Sequence, residues 1–257
     1  MNYPELERLI EIVEIPRSEN GCQWDREQTH ATLKRNMLEE AYEAVDAIND
    51  NDLKHLQEEL GDVLLQVVLH AQIAKEEKAF DIEAVAKTLS DKLVHRHPHV
   101  FGDVKVSSTD EILDNWEKLK KEEKKHRKSV MDGISKSQAA LMSAQKISKK
   151  AVGVGFEWPN EDSLYDCVLS EIKEFKEAKT PEEKEDELGD ILFAVVNLAR
   201  WNKIDAEQAL IKANNKFTSR FRLMEKNANK ELEHLSLEEW DILWKKAKKE
   251  LNEKEKV

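Results

Sequence analysis

The sequence predicts an all-α protein made of two tandem, internally duplicated helical-bundle lobes. Three observations predict it. Glycine and proline are scarce, at 7 and 5 residues of 257, while 37% of the chain is charged, a composition of long amphipathic helices rather than of turn-rich sheets. Apolar residues recur at helical spacing through most of the chain. Finally, Glu59-Leu60-Gly61-Asp62, which opens the apolar run Val63 to Leu69, returns as Glu187-Leu188-Gly189-Asp190 ahead of Ile191 to Val196, the mark of an internal repeat.

The elements follow in order. Glu5 to Val13 reads as a short helix, closed by a turn from Pro16 to Gly21. Gly21-Cys22-Gln23-Trp24-Asp25 comes next, where the indole is expected to plug the core rather than to stack on a base. A longer helix carries Leu38, Ala41, Tyr42, Val45 and Ile48 as its apolar face, with Glu40 and Glu43 beside it. Asn49-Asp50-Asn51-Asp52 breaks it, and Asp52 is suited to cap the next helix, which runs from Leu53 through the acidic motif. So short a connection makes the two helices antiparallel neighbours and brings Glu40 and Glu43 opposite Glu59 and Asp62. A third helix begins near Ile82, holds Lys92 and Arg96 and stops at His97-Pro98. A fourth carries Trp116 and Lys120 and runs into the charged stretch Lys120 to Lys128, read as a solvated helix end and linker.

The second half repeats that order at a spacing of roughly 130 residues. Gly155-Phe156-Glu157-Trp158 echoes Gly21-Cys22-Gln23-Trp24, Glu171 and Glu174 echo Glu40 and Glu43, and Glu187 and Asp190 echo Glu59 and Asp62. Lys216 and Arg220 echo Lys92 and Arg96, and Trp244 with Lys248 echoes Trp116 with Lys120. Thr180-Pro181-Glu182-Glu183 supplies a capping box with proline at the first helical position, just ahead of the second acidic helix. The lobes divide as residues 1–128 and 129–257, joined near Ser129 to Ile134.

Composition narrows the function. A formal charge of −12 opposes unaided binding of polyanions, and no broad basic face is evident, so nucleic acid is not an expected partner. Cys22 and Cys167 stand far apart without a metal-ligand pattern, as in a reduced, cytoplasmic protein. There is no signal peptide and no apolar run near the ~18 residues a membrane span requires.

Carboxylates three apart on a helix share a face. Placed on helices this apolar, Glu40, Glu43, Glu59 and Asp62, and again Glu171, Glu174, Glu187 and Asp190, need a compensating cation, and oxygen-only ligands suit Mg²⁺ or Mn²⁺. A glycine between the acids of each motif is expected to let a neighbouring helix or a ligand approach the backbone. Lys92 and Arg96, or Lys216 and Arg220, would neutralise phosphates, and Trp116 and Lys120, or Trp244 and Lys248, would meet the nucleotide. No Gly-rich phosphate loop is present. The plain alternatives are solvated acidic faces, surface i,i+4 cations and core indoles. His95, His97 and His99 fit a turn better than a zinc site. A di-iron bundle would require Glu-x-x-His on the acid helices, which they lack.

Glu39-Glu40-x-x-Glu43 followed by Glu59-x-x-Asp62, together with Cys22-Gln23-Trp24-Asp25, Arg96-His97-Pro98-His99-Val100-Phe101 and the duplication, resembles the MazG-type nucleoside triphosphate pyrophosphohydrolases over nearly the whole chain. The resemblance implies an all-α, Mg²⁺-dependent homodimer that cleaves nucleoside triphosphates between the α and β phosphates, releasing a nucleoside monophosphate and pyrophosphate. Three positions depart from the family's pattern: Ser170 stands opposite Glu39, His95 precedes Arg96, and Gln23 replaces a proline. The second lobe is the favoured site, because Lys216 to Arg220 lies in an uninterrupted helical pattern whereas Pro98 is expected to pull Arg96 toward a turn. A non-catalytic helical dimer or adaptor with residual acidic sites is the alternative function.

Overall fold

The computed structural model describes residues 3–123 and 128–254, and among them every regular element is helical. The chain divides into two compact units, Met1–Lys125 and His126–Val257.

The first unit contains α1 (Pro4–Arg17), the short α2 (Gln23–Glu27), α3 (Lys34–Asn49), α4 (Leu53–Glu76), α5 (Ile82–Arg96), the single-turn α6 (Pro98–Phe101) and α7 (Thr109–Glu123). α3 and α4 form the acid-bearing hairpin, α1 and α5 pack on α4, and α7 packs on α5. Asp52 caps α4, its carboxylate accepting from the backbone N–H groups of Lys54 and His55, which satisfies two donors that the helix start leaves open. The turn before it is tight enough to put Asn51 at φ 55°, a conformation asparagine tolerates.

The first helix is longer than its apolar pattern predicts and continues through Pro16 to Arg17. Its last residue explains the extension. The Arg17 side chain is only 4% exposed and grips Glu76 at the end of α4 through two bonds, Nε to Oε1 at 2.9 Å and Nη2 to Oε2 at 2.8 Å. It also donates to the carbonyls of Asp25 and Gln28. One guanidinium thus ties α1, α2 and α4 together, and it holds the Glu76 carboxyl below the usual carboxylate range. Gly21 is required beside it, because a Cβ there would sit 2.1 Å from the Pro16 carbonyl oxygen. The Trp24 indole, expected in the core, is instead 63% exposed, and Arg17 secures this segment by its backbone carbonyls.

The second unit contains α8 (Ala140–Val152), α9 (Glu161–Glu177), α10 (Pro181–Trp201), α11 (Ala206–Asn227), a short 3₁₀ turn (Leu232–His234) and α12 (Leu237–Lys254). α9 and α10 form the second acidic hairpin, α8 packs on α10 and α11, and α11 pairs with α12. Thr180 and Glu183 form a complete capping box with Pro181 in the first turn. Here Arg200 does for the Gly155-to-Trp158 segment what Arg17 does in the first unit. It holds Glu157 in two bonds of 2.7 and 2.6 Å and lowers the pKa of that carboxyl.

The expected apolar face of α3 does not form the packed side. Ala44 and Ala47 are buried, whereas Leu38, Tyr42 and Ile48 are 52%, 58% and 56% exposed. The same holds on α4 for Leu53, Leu60 and Leu64, on α9 for Leu169, and on α10 for Leu188, Leu192, Phe193 and Val195. The first hairpin buries Ala44, Ala47, Val68, Ala71, Ile73 and Ala74 and the second Leu164, Ala194 and Val196, while each leaves a row of large apolar side chains open, well beyond the scatter of single apolar side chains on an ordinary surface.

Candidate metal and nucleotide site

Each hairpin converts two i,i+3 acid pairs into one cluster. In the first unit, Glu40 and Glu43 of α3 and Glu59 of α4 each offer a carboxylate oxygen, and these oxygens all lie within 4.8 Å of one another. Asp62 lies near enough to act on Glu40. The Glu40 carboxyl is pushed above its ordinary pKa, first by burial and then by the charges of Asp62, Glu43, Glu59 and Glu39. Only Glu59 is buried outright, at 7% exposure. Its Oε1 lies 2.9 Å from His55 Nε2, and its Oε2 is buried with no hydrogen-bond partner among the described residues. A half-satisfied buried carboxylate facing two others is costly alone and well suited to a hard cation.

In the second unit the mutually close oxygens belong to Glu171 of α9 and to Glu187 and Asp190 of α10, again within 4.8 Å. The Glu187 pKa is raised, by desolvation first and then by the charges of Glu174, Glu171, Asp190 and Asp186, so Glu174 belongs to the same electrostatic group. Two neighbours shape this cluster that the acid motifs do not reveal. Ser170 Oγ donates to Glu174 Oε1 at 2.9 Å, and Cys167 Sγ, one turn earlier on α9, donates to Glu171 Oε1 at 3.7 Å. Cys167 is itself pushed up in pKa by burial and by Glu171. The i,i+4 spacings of Ser170 to Glu174, Cys167 to Glu171 and His55 to Glu59 were the available signals in the sequence.

Two expectations change. Of the eight acids only Glu59 is buried, because the apolar runs that follow the motifs lie partly open in a single chain. Nor, among the described residues, does any neighbour approach the motif glycines, since a Cβ at Gly61 or Gly189 would meet nothing within 4 Å.

The basic and aromatic residues lie on the other helices of each unit. In the second, the guanidinium carbon of Arg220 on α11 lies 5.5 Å from the ring centroid of Trp244 on α12, in the range of a cation–π contact. Phe217, one turn before Arg220, approaches the same indole at 5.4 Å between centroids and was not expected from the sequence. Lys216 and Lys248 are exposed on these helices. In the first unit Lys92 is exposed and Trp116 is half-buried. The Lys120 side chain lies outside the described residues. Arg96 remains helical as the last residue of α5, so Pro98 does not draw it into a turn. It is ion-paired with Glu123 instead, at 2.5 Å.

Comparison with known proteins agrees with this geometry. The MazG nucleotide pyrophosphohydrolase domain matches residues 28–101 and 160–224, which span both acidic hairpins and both Lys/Arg pairs. The chain is 48% identical over 246 residues to the nucleoside triphosphate pyrophosphohydrolase/pyrophosphatase MazG of Thermotoga maritima, covering 94% of this chain and 95% of that protein. It is 43% identical over 257 residues to a nucleoside triphosphate pyrophosphohydrolase of Escherichia coli, covering 96% and 98%. A crystal structure of a mazG-related protein from Thermotoga maritima aligns with 45% of this chain and 98% of its own, at 35% identity and a TM-score of 0.39. With its acid hairpins falling inside both matched segments and its relatives aligning end to end, the chain belongs to the MazG nucleotide pyrophosphohydrolase family.

Proposed function

We propose that this chain is a Mg²⁺-dependent hydrolase that cleaves nucleoside triphosphates between the α and β phosphates, giving a nucleoside monophosphate and pyrophosphate. The observation that carries the reading is the pair of carboxylate clusters, each with three oxygens within 4.8 Å, inside the segments that match the family. The donor set fits the metal: all oxygens, from carboxylates three apart on facing helices, with Glu59 Oε2 buried and unpartnered among the described residues. Mn²⁺ would fit the same donors. Bound there, the ion would supply the positive charge that a triphosphate requires in a protein of net charge −12.

The residues of the second unit are assigned as follows. Glu171, Glu174, Glu187 and Asp190 would hold the metal, and one of these carboxylates would take the proton of the attacking water. The new bond forms between that water's oxygen and the α-phosphorus, the bond to the bridging α–β oxygen breaks, and pyrophosphate leaves with the electron pair. Lys216 and Arg220 meet the charge that grows on the leaving group, while Trp244 and Lys248 contact the nucleotide. Glu40, Glu43, Glu59 and Asp62, with Lys92, Arg96, Trp116 and Lys120, form the corresponding set in the first unit. The open apolar rows on the two hairpins support a homodimer in which a second copy covers them.

Product analysis tests the reading. With a panel of nucleoside triphosphates and Mg²⁺, the products are monophosphate and pyrophosphate; diphosphate and phosphate, or no turnover, would replace this reading with another hydrolase or a non-catalytic adaptor.

A further inference from the structure

We propose that Glu123 is a built-in stand-in for phosphate, which keeps the arginine of the first lobe occupied and leaves polyphosphate binding to the second. The inference rests on the reading of Arg96 and Arg220 as phosphate-binding groups. Glu123 presents both carboxylate oxygens to one edge of Arg96, Nε donating to Oε1 at 3.1 Å and Nη2 to Oε2 at 2.5 Å. This planar, two-point grip is how a guanidinium holds a carboxylate or a phosphate alike, so the two compete for the same donors. The pair is sheltered, with the Arg96 side chain 15% exposed and that of Glu123 27% exposed, so salt screens it less than a surface pair. His95 Nε2 lies 4.0 Å from Glu123 Oε1 and strengthens the hold on the carboxylate when protonated. An incoming triphosphate meets a neutralised arginine and a carboxylate that repels it.

Among the described residues the second lobe has no such occupant. Carrying the register of Trp116 with Trp244 and Lys120 with Lys248 forward places Leu251 opposite Glu123, and leucine offers no anion. Among the described residues Arg220 makes no ion pair, and its buried Nε has no hydrogen-bond partner. Its guanidinium rests on the Trp244 face instead. Stacking through the face leaves the in-plane Nη donors available to an anion. The two lobes therefore share the cation and differ in what already holds it.

The test is a calorimetric titration of the full chain with inorganic tripolyphosphate and Mg²⁺. The unaltered chain takes up one tripolyphosphate, Glu123→Gln takes up two, and adding Arg96→Ala to that variant returns the count to one. Should the glutamine variant lose helical content, Glu123→Ala serves in its place. A stoichiometry that removing the Glu123 charge leaves unchanged overturns the proposal. In a chain whose second lobe carries Arg220→Ala, adding Glu123→Gln lowers the Kd for tripolyphosphate at least tenfold; an unchanged Kd overturns it as well. Failure of the pyrophosphohydrolase reading would appear separately, as absence of pyrophosphate release by the unaltered chain, while the tripolyphosphate count still reports on Glu123.

Discussion

Ser170 donates from its hydroxyl to Oε1 of Glu174 at 2.9 Å, so the residue that breaks the Glu-Glu-x-x-Glu pattern in the second lobe is engaged with a candidate metal ligand. The first lobe has Glu39 at that place, which adds charge to the cluster rather than a donor. An exposed hydrogen bond of this kind is worth about 1 kcal/mol. Ser170→Ala should therefore raise the Mg²⁺ concentration for half-maximal activity by roughly fivefold or less. Metal titration of the activity checks this.

Removing Arg17 should destabilise the first unit. Its side chain is nearly fully buried and serves Glu76 and two carbonyls at once, and charged hydrogen bonds of this type contribute about 1.5–3 kcal/mol. Because the Glu76 side chain is 38% exposed, water recovers part of the loss, and Arg17→Ala is expected to cost about 2 kcal/mol. The urea unfolding midpoint measures it.

Between neutral pH and about pH 5, the metal-free protein should gain stability as pH falls. Glu40 and Glu187 have folded pKa values above the ordinary 4.5, so their contribution is fully present below the unfolded pKa and is lost as pH rises through the folded one. The depressed carboxyls, Glu76, Glu157 and Glu239 (the last held down to about 2 by Lys230), lose their contribution only as pH falls through values below 4.5. Mg²⁺ should flatten the dependence by stabilising the charged clusters at neutral pH. Thermal unfolding at several pH values, with and without Mg²⁺, reads both effects.

What the sequence could tell is bounded by distance along the chain. Asp52, the Thr180 to Glu183 capping box and the two acid hairpins were legible because caps and i,i+3 pairs are local, and a three-residue connection leaves two helices little choice but to fold back. The Glu123–Arg96 pair spans 27 residues and the Arg17–Glu76 pair 59, and no local pattern announces either. The α3 face was misread for a related reason. Periodicity identifies Leu38, Tyr42 and Ile48 as apolar, but it does not say whether the surface that covers them belongs to the same chain.

Those open rows predict the oligomeric state. Sedimentation at micromolar concentration should give a dimer, and Leu192→Asp, placing a charge on a side chain 51% exposed in the single chain, should shift it to monomer with its helical content kept. A monomeric unaltered protein would remove the homodimer from the proposal.

Losing the aromatic contact should matter less than losing a ligand. Trp244→Ala removes a stacking surface worth about 1–3 kcal/mol, and its effect should appear mainly in KM. Steady-state kinetics on Trp244→Ala beside Glu171→Gln separates the two roles, the glutamine variant falling in kcat by about a hundredfold or more.

The most direct test of the metal-cluster mechanism, and of its location in the second lobe, is pyrophosphate release by Glu174→Ala and Glu43→Ala under saturating Mg²⁺. The expected result is loss of turnover in Glu174→Ala, with Glu43→Ala close to the unaltered chain. Turnover retained by Glu174→Ala and abolished by Glu43→Ala would move catalysis to the first lobe, and full activity in both would contradict the carboxylate mechanism itself.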